Sequence, residues 1–313
     1  MPSCEKLFQR TALNQIEAFS YGRRGNCLTR RHEEEDSSLH QIGNLSADRS
    51  HWGATSCLLE NTLMSIAFRQ RLLSGDRLHG TMLTLPNGAV AEILGDVGFD
   101  WIFVDAEHGP IEASELQLIL QTIGRRVPCL VRVPTTDSVS IQRALDLGAA
   151  GIIVPQVNTP EQAARVVDYS RYPPVGSRGV GISRAQGYGL EFAPYVADAN
   201  QRSTVIVQAE NIRAVEAIEQ IVAVPGLDGV LVGPYDLSAS MGLMGQIDHP
   251  KVVEAIDHVT AATLKAGLKL GIFGVFPASV KPYIAKGYTL LVAGVDTVML
   301  GQGARSVLAD LKA

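Results

Sequence analysis

The sequence predicts a (β/α)8 TIM barrel, and three observations predict it. Eight short apolar runs recur from residue 79 onward, and stretches with helical spacing fall between most of them. The best of these runs are apolar at nearly every position rather than at alternate ones, so both faces of the strand are covered. Such strands belong to a parallel sheet wrapped by its own crossover helices. The rival architecture, an open doubly wound sheet, would place a dinucleotide loop after the first strand. Thr84-Leu85-Pro86-Asn87-Gly88 is not G-x-G-x-x-G, so the closed barrel is preferred.

Residues 1–60 stand apart from this pattern. Arg23-Arg24, Arg30-Arg31-His32 and Glu33-Glu34-Glu35-Asp36 are charge clusters among Ser, Asn and Gly, and they read as a poorly ordered N-terminal extension. Glutamates at 5, 17 and 33–35 argue against a mitochondrial leader, and no signal-peptide core is visible. The barrel domain is placed at 61–313. Met64 is a candidate functional start, because residues 63–73 open a helix that leads into the first strand.

The strands are expected at His79–Thr84, Trp101–Asp105, Cys129–Val133, Gly151–Pro155, Val205–Glu210, Gly229–Val232, Lys269–Gly274 and Thr289–Ala293. The helices are expected at Ala89–Val97, Ala113–Ile123, Val139–Leu147, Glu161–Ser170, Ile212–Val222, Pro250–Ala266, Val280–Lys286 and Ala304–Leu311.

Composition narrows the function. The chain has 313 residues, 46% hydrophobic and 19% charged, with a formal net charge of −5. That balance excludes a nucleic-acid binder and leaves small anions to be held by local groups. No apolar run of membrane-spanning length escapes interruption. Four cysteines show no metal-ligand spacing, and Cys129 sits inside a strand as a small core residue. A reducing, cytoplasmic setting is expected.

A parallel barrel carries its chemistry at the carboxyl ends of its strands. Glu210 and Asp236 emerge there from neighbouring strands joined by one helix, with Gln208 beside them. Either carboxylate alone would read as a helix cap or a turn residue. Together they suit a hard divalent cation that keeps open positions for substrate oxygens. His108 follows the second strand three residues after Asp105 and precedes a Gly-Pro turn. Asp105 is expected to orient its ring and raise its basicity. Arg132 lies among Leu130, Val131 and Val133, so its charge needs an anion: Asp105 or Glu107 in a structural pair, or, as preferred, a substrate carboxylate or enolate. Gly176-Ser177-Arg178-Gly179-Val180-Gly181 lacks the context of a phosphate loop; a mobile loop bringing Arg178 and Arg184 near substrate is expected instead. No lysine occurs between Lys6 and Lys251, and Lys269 begins its strand at the far end. Imine catalysis is therefore disfavoured, and a metal is expected as the electron sink.

These residues sit in longer motifs. Gly-Phe-Asp-Trp-Ile-Phe-Val-Asp-Ala-Glu-His-Gly-Pro (98–110), Val-Arg-Val-Pro (131–134), Arg-Tyr-Pro-Pro-Val-Gly-Ser-Arg-Gly-Val-Gly (171–181), Val-Gln-Ala-Glu (207–210) and Gly-Pro-Tyr-Asp-Leu-Ser (233–238) resemble the HpcH/HpaI aldolases. These are metal-dependent class II pyruvate aldolases of the phosphoenolpyruvate/pyruvate barrel superfamily, and the resemblance runs from about Phe68 to the C-terminus. It implies reversible cleavage of a 4-hydroxy-2-oxo acid to pyruvate and an aldehyde with Mg2+ or Mn2+, Co2+ being a further candidate. It implies His108 as proton acceptor, Arg132 as stabiliser of the enolate, and Glu210 and Asp236 as metal ligands. Gln208 is implied as a substrate contact, and Tyr235 as a position whose backbone touches substrate. Asp146, by position alone a surface residue at a helix end, is implied to raise the basicity of a neighbouring subunit's histidine. A homo-hexamer, a trimer of dimers exchanging the last helix, is also implied. Met82 departs from the pattern, standing where some bacterial members carry a tryptophan. Two rival readings use the same site: decarboxylation of oxaloacetate to the same enolate, as in macrophomate synthase, or a non-catalytic barrel that only binds small oxo acids.

Overall fold

The computed structural model describes residues 67–313. The extension at 1–60, the Met64 start and the opening of the helix at 63–73 lie outside the described residues; 67–74 is helical. Eight strands follow: β1 (Leu78–Leu83), β2 (Trp101–Asp105), β3 (Cys129–Arg132), β4 (Gly151–Val154), β5 (Thr204–Ala209), β6 (Gly229–Val232), β7 (Lys269–Gly274) and β8 (Leu290–Val295). They close in sequence order into a barrel, every pair parallel, with β8 returning to β1 through Leu78↔Leu290. The expected fold is the observed one.

The reason the strands are apolar throughout is now visible. Successive side chains point to opposite faces, and each face meets its own core. Ile102, Val104, Val131, Ile152 and Val230 pack outward against the helices. Trp101, Phe103, Leu130, Ile153, Ile206 and Leu231 fill the barrel. Trp101 fits because its register partner is Gly80: a Cβ there would lie 2.6 Å from the indole. The same two-residue period, carried up each strand, turns Asp105, Arg132, Gln208 and Glu210 toward the barrel axis at the carboxyl end.

The helices differ from the expected ones at several points. The 212–222 helix divides at Ala217 (φ −104°, ψ 8°) into Ile212–Glu216 and Ile218–Val222. Helices at Phe192–Arg202 and Pro234–Ser240 were not expected. The last helix begins at Asp296, eight residues before the expected start, and runs through Gly301 and Gly303. Each glycine disfavours a helix by about 1 kcal/mol, but a tertiary anchor overrides this. The buried Asp296 carboxylate accepts from the Thr84 and Leu85 N–H groups at 2.9 and 2.8 Å and from the Thr84 hydroxyl at 2.7 Å. Among the described residues no helix is long and apolar enough to cross a membrane.

Candidate active site

A cavity of about 530 Å3 opens at the carboxyl ends of the strands, and Asp105, His108, Arg132, Gln208, Tyr235 and Asp236 line it. Its polar side is built by β2 and β3. Asp105 and Arg132 are register partners, so both point inward at one height. The guanidinium grips the carboxylate bidentately through one edge, Nε to Oδ1 at 2.8 Å and Nη2 to Oδ2 at 2.7 Å. Glu107 approaches the same guanidinium, with its Oε2 at 3.2 Å from Nε.

This corrects the expected role of Asp105. Its carboxylate receives the backbone N–H groups of Glu107 (3.1 Å) and His108 (3.3 Å), not the imidazole ring. Strand parity commits the side chain to Arg132, while His108 lies beyond the turn. Glycine is needed at 109, because a Cβ there would collide with the carbonyls of Asp105 and Thr84. The tight turn leaves the His108 side chain 70% exposed, its Nε2 at 3.8 Å from Glu107 Oε2. Glu107, read from the sequence only as a partner for Arg132, thus stands between cation and imidazole. Burial raises its carboxyl above the usual range, with Arg132 opposing.

The acidic side is built by β5 and β6. Glu210 is buried; its Oε1 accepts the Gln156 N–H at 2.8 Å, and its Oε2 accepts from the Gln208 amide at 2.7 Å. Gln156 adopts φ 53°, a conformation uncommon outside glycine, at the point where its N–H meets Glu210. Asp236 opens the short helix after β6, exposed at the cavity. Gly233 allows the close approach, since a Cβ there would lie 3.0 Å from the Glu210 Cβ. Burial, first, and the neighbouring Glu107 and Asp236 push the Glu210 carboxyl up to about 7. Gln208 Oε1 is buried with no hydrogen-bond donor. Two carboxylates in mutual repulsion beside an orphaned oxygen fit a hard cation. Among the described residues no group of three or more His, Cys, Asp or Glu forms a preformed cage. Such a cation would therefore rely on substrate or water for its remaining oxygens.

Three sequence candidates lie elsewhere in the chain. Asp146 ends the helix Ser138–Asp146 and lines a separate cavity of about 510 Å3. It takes the Arg178 guanidinium at 2.6 Å. Arg178 is buried over the Tyr172 ring, 4.4 Å from its centroid, and Arg184 donates to the carbonyls of Leu147 (2.6 Å) and Leu120 (2.8 Å). Both arginines are committed to the framework, contrary to the expectation that they approach substrate. Missing from the sequence reading was the opposite wall, made by Phe273, Val275, Phe276 and Tyr283. The inward period of β7, continued past its end, was the signal.

Comparison with known proteins gives the family and the fold. The model of the HpcH/HpaI aldolase/citrate lyase family matches residues 80–302. The 5-keto-4-deoxy-D-glucarate aldolase of Klebsiella pneumoniae is 37% identical over 239 residues, 76% of this chain and 93% of that protein. The hydroxypyruvate/pyruvate aldolase of Deinococcus radiodurans is 38% identical over 251 residues, 80% and 91% of the two chains. The crystal structure of a HpcH/HpaI aldolase/citrate lyase family protein from Burkholderia cenocepacia superposes with a TM-score of 0.76 at 36% identity, covering 79% of this chain and 99% of that one.

Proposed function

The chain belongs to the HpcH/HpaI aldolase/citrate lyase family and is an aldolase-type carbon–carbon lyase, and from that premise we propose that it cleaves a 4-hydroxy-2-oxo acid reversibly to pyruvate and an aldehyde, with a divalent cation held by Glu210 and Asp236. The observation that carries this reading is the pair of carboxylates at neighbouring strand ends, Glu210 buried just past β5 and Asp236 in the first turn of the helix after β6, beside a buried Gln208 Oε1 that receives no hydrogen bond. A divalent ion bound there supplies Lewis-acid polarisation of the 2-oxo group.

The chain's own residues do the rest. His108, projecting into the cavity, takes the proton of the 4-hydroxyl. The C3–C4 bond then breaks, C4 becomes the aldehyde carbonyl, and the electron pair moves through C3 into the ketone. Asp105 holds Nε and Nη2 of Arg132, which leaves the Nη1 edge for the developing enolate oxygen. Protonation at C3 completes pyruvate. Gln208 and the Tyr235 backbone orient the acid. Mg2+ and Mn2+ are the ions proposed, with Co2+ a third.

Chelator-stripped protein is expected to lose retro-aldol activity and regain it with Mn2+ or Mg2+. Calorimetry should show Mn2+ binding to the wild type and little to Glu210→Gln. Full turnover by stripped protein would defeat the metal role, and pyruvate formed from oxaloacetate but from no hydroxy-oxo acid would favour decarboxylation.

We further propose a homo-hexamer. Met299, Leu300, Val307, Leu308 and Leu311 are exposed on a terminal helix whose first residue, Asp296, alone is buried, and such a surface calls for a second copy. Asp146, at its separate face, would then serve a neighbouring subunit's His108. Native mass measurement at micromolar concentration is expected to give six chains; a monomer there would refute this assembly.

A further inference from the structure

The aldehyde's tail is the part of the reaction left unassigned above, and the far wall of the cavity has a composition of its own. In a closed eight-strand barrel β7 stands across from β3, so Phe273 and Val275 face the Arg132 side over the opening. Phe276, Tyr283, Ile247 and Met82 extend the same wall. Its polar tips are few. The Ser279 hydroxyl is committed to the Phe276 carbonyl at 2.7 Å, which leaves the Tyr283 phenol. Among the described residues lining the cavity Arg132 is the only arginine or lysine, and Asp105 and Glu107 already neutralise it. Lys281 and Lys286, close in sequence, are not part of the lining.

Volume points the same way. About 530 Å3 falls in the range that holds a drug-sized ligand, and a three-carbon acid seated at Arg132 and Glu210 leaves most of it unfilled. A second carboxylate placed against Phe273 and Phe276 would exchange part of its hydration for aromatic contact and meet no cation of this chain. A polyhydroxylated tail would leave most of its hydroxyls without partners on the wall. An uncharged hydrocarbon chain loses nothing there and gains by burial.

We propose that this enzyme's aldehyde partner is uncharged and carries an extended apolar tail, seated on the wall formed by Phe273, Val275, Phe276, Ile247 and Tyr283. This inference rests on the pyruvate-aldolase reading and names the substrate class at that same site. In the synthetic direction, C3 of the pyruvate enolate bonds to the aldehyde carbon. The carbonyl oxygen takes up a proton to become the 4-hydroxyl, and the tail stays on the wall.

The test uses the full-length metal-loaded protein, pyruvate, and a series of straight-chain aldehydes from propanal to hexanal. Succinic semialdehyde and glyceraldehyde serve as charged and hydroxylated competitors. kcat/KM should rise by about fourfold per added methylene while the chain follows the wall. Hexanal should exceed both competitors by tenfold or more. Phe276→Arg, at a side chain already half exposed, should then bring succinic semialdehyde level with hexanal or above it. A flat series, a preference for either competitor in the wild type, or an unchanged preference in Phe276→Arg would overturn the proposal. Exchange of the pyruvate methyl hydrogens with deuterated water, measured without aldehyde, separates the two levels. Exchange with a flat series defeats the apolar-tail inference alone, whereas absence of exchange defeats the aldolase reading and this inference with it.

Discussion

Replacing His108 by alanine is expected to lower kcat for retro-aldol cleavage by about 10²–10⁴-fold, the range a positioned acid–base group contributes. The fold should barely register the change. The side chain is 70% exposed, and Glu107 stands at 3.8 Å from its ring, so stability should stay within about 0.5 kcal/mol of wild type. Binding of pyruvate and Mn2+ should persist, because the residues proposed for both lie on β3 and β5 or just beyond β5 and β6. Turnover within tenfold of wild type, with metal still bound, would remove His108 from the proton-transfer role and direct attention to Glu107, whose burial-raised carboxyl is the nearest alternative base.

Substitution of Arg132 should affect both chemistry and fold, and two variants separate these effects. Arg132→Met leaves the buried Asp105 and the half-buried Glu107 without their cation. Breaking a buried pair in this way costs about 3–5 kcal/mol, to be read from denaturant unfolding. Arg132→Lys retains the charge but cannot reproduce the bidentate grip on Asp105. That variant should stay folded while kcat falls by about 10²–10³-fold, the cost of losing one well-placed donor to a developing oxyanion. Near-normal turnover in Arg132→Lys would mean that the guanidinium serves only to neutralise Asp105 and Glu107. A variant Arg132→Met as stable as wild type would mean that water reaches those carboxylates freely.

These two residues also show how far reading the chain alone could go. Both strand ends were placed within a residue, and both side chains were picked out by chemistry: a cation in an apolar strand, an imidazole beside a strand end. The Arg132 pair with Asp105 or Glu107 was named as the alternative to a substrate anion, and both carboxylates do meet it; the partner of His108 was misassigned. Sequence distance suggested that Asp105 serves His108, three residues on. Strand register gives Asp105 to Arg132, twenty-seven positions away. The two-residue period could have warned of this, since Asp105 shares the inward parity of Phe103. His108 lies past a turn and has no parity to inherit.

The eight strands, their order of appearance, and the carboxylates at two neighbouring ends follow from local regularities, which each stretch of chain carries in its own residues. The pairing of Arg132 with Asp105, the early start of the last helix at Asp296 and the apolar wall from β7 arise where distant segments meet. Contact between such segments depends on register and on closure of the ring, and no single stretch encodes either one. The raised Glu210 carboxyl belongs to this second kind too: burial made it, and burial is a property of the assembled barrel.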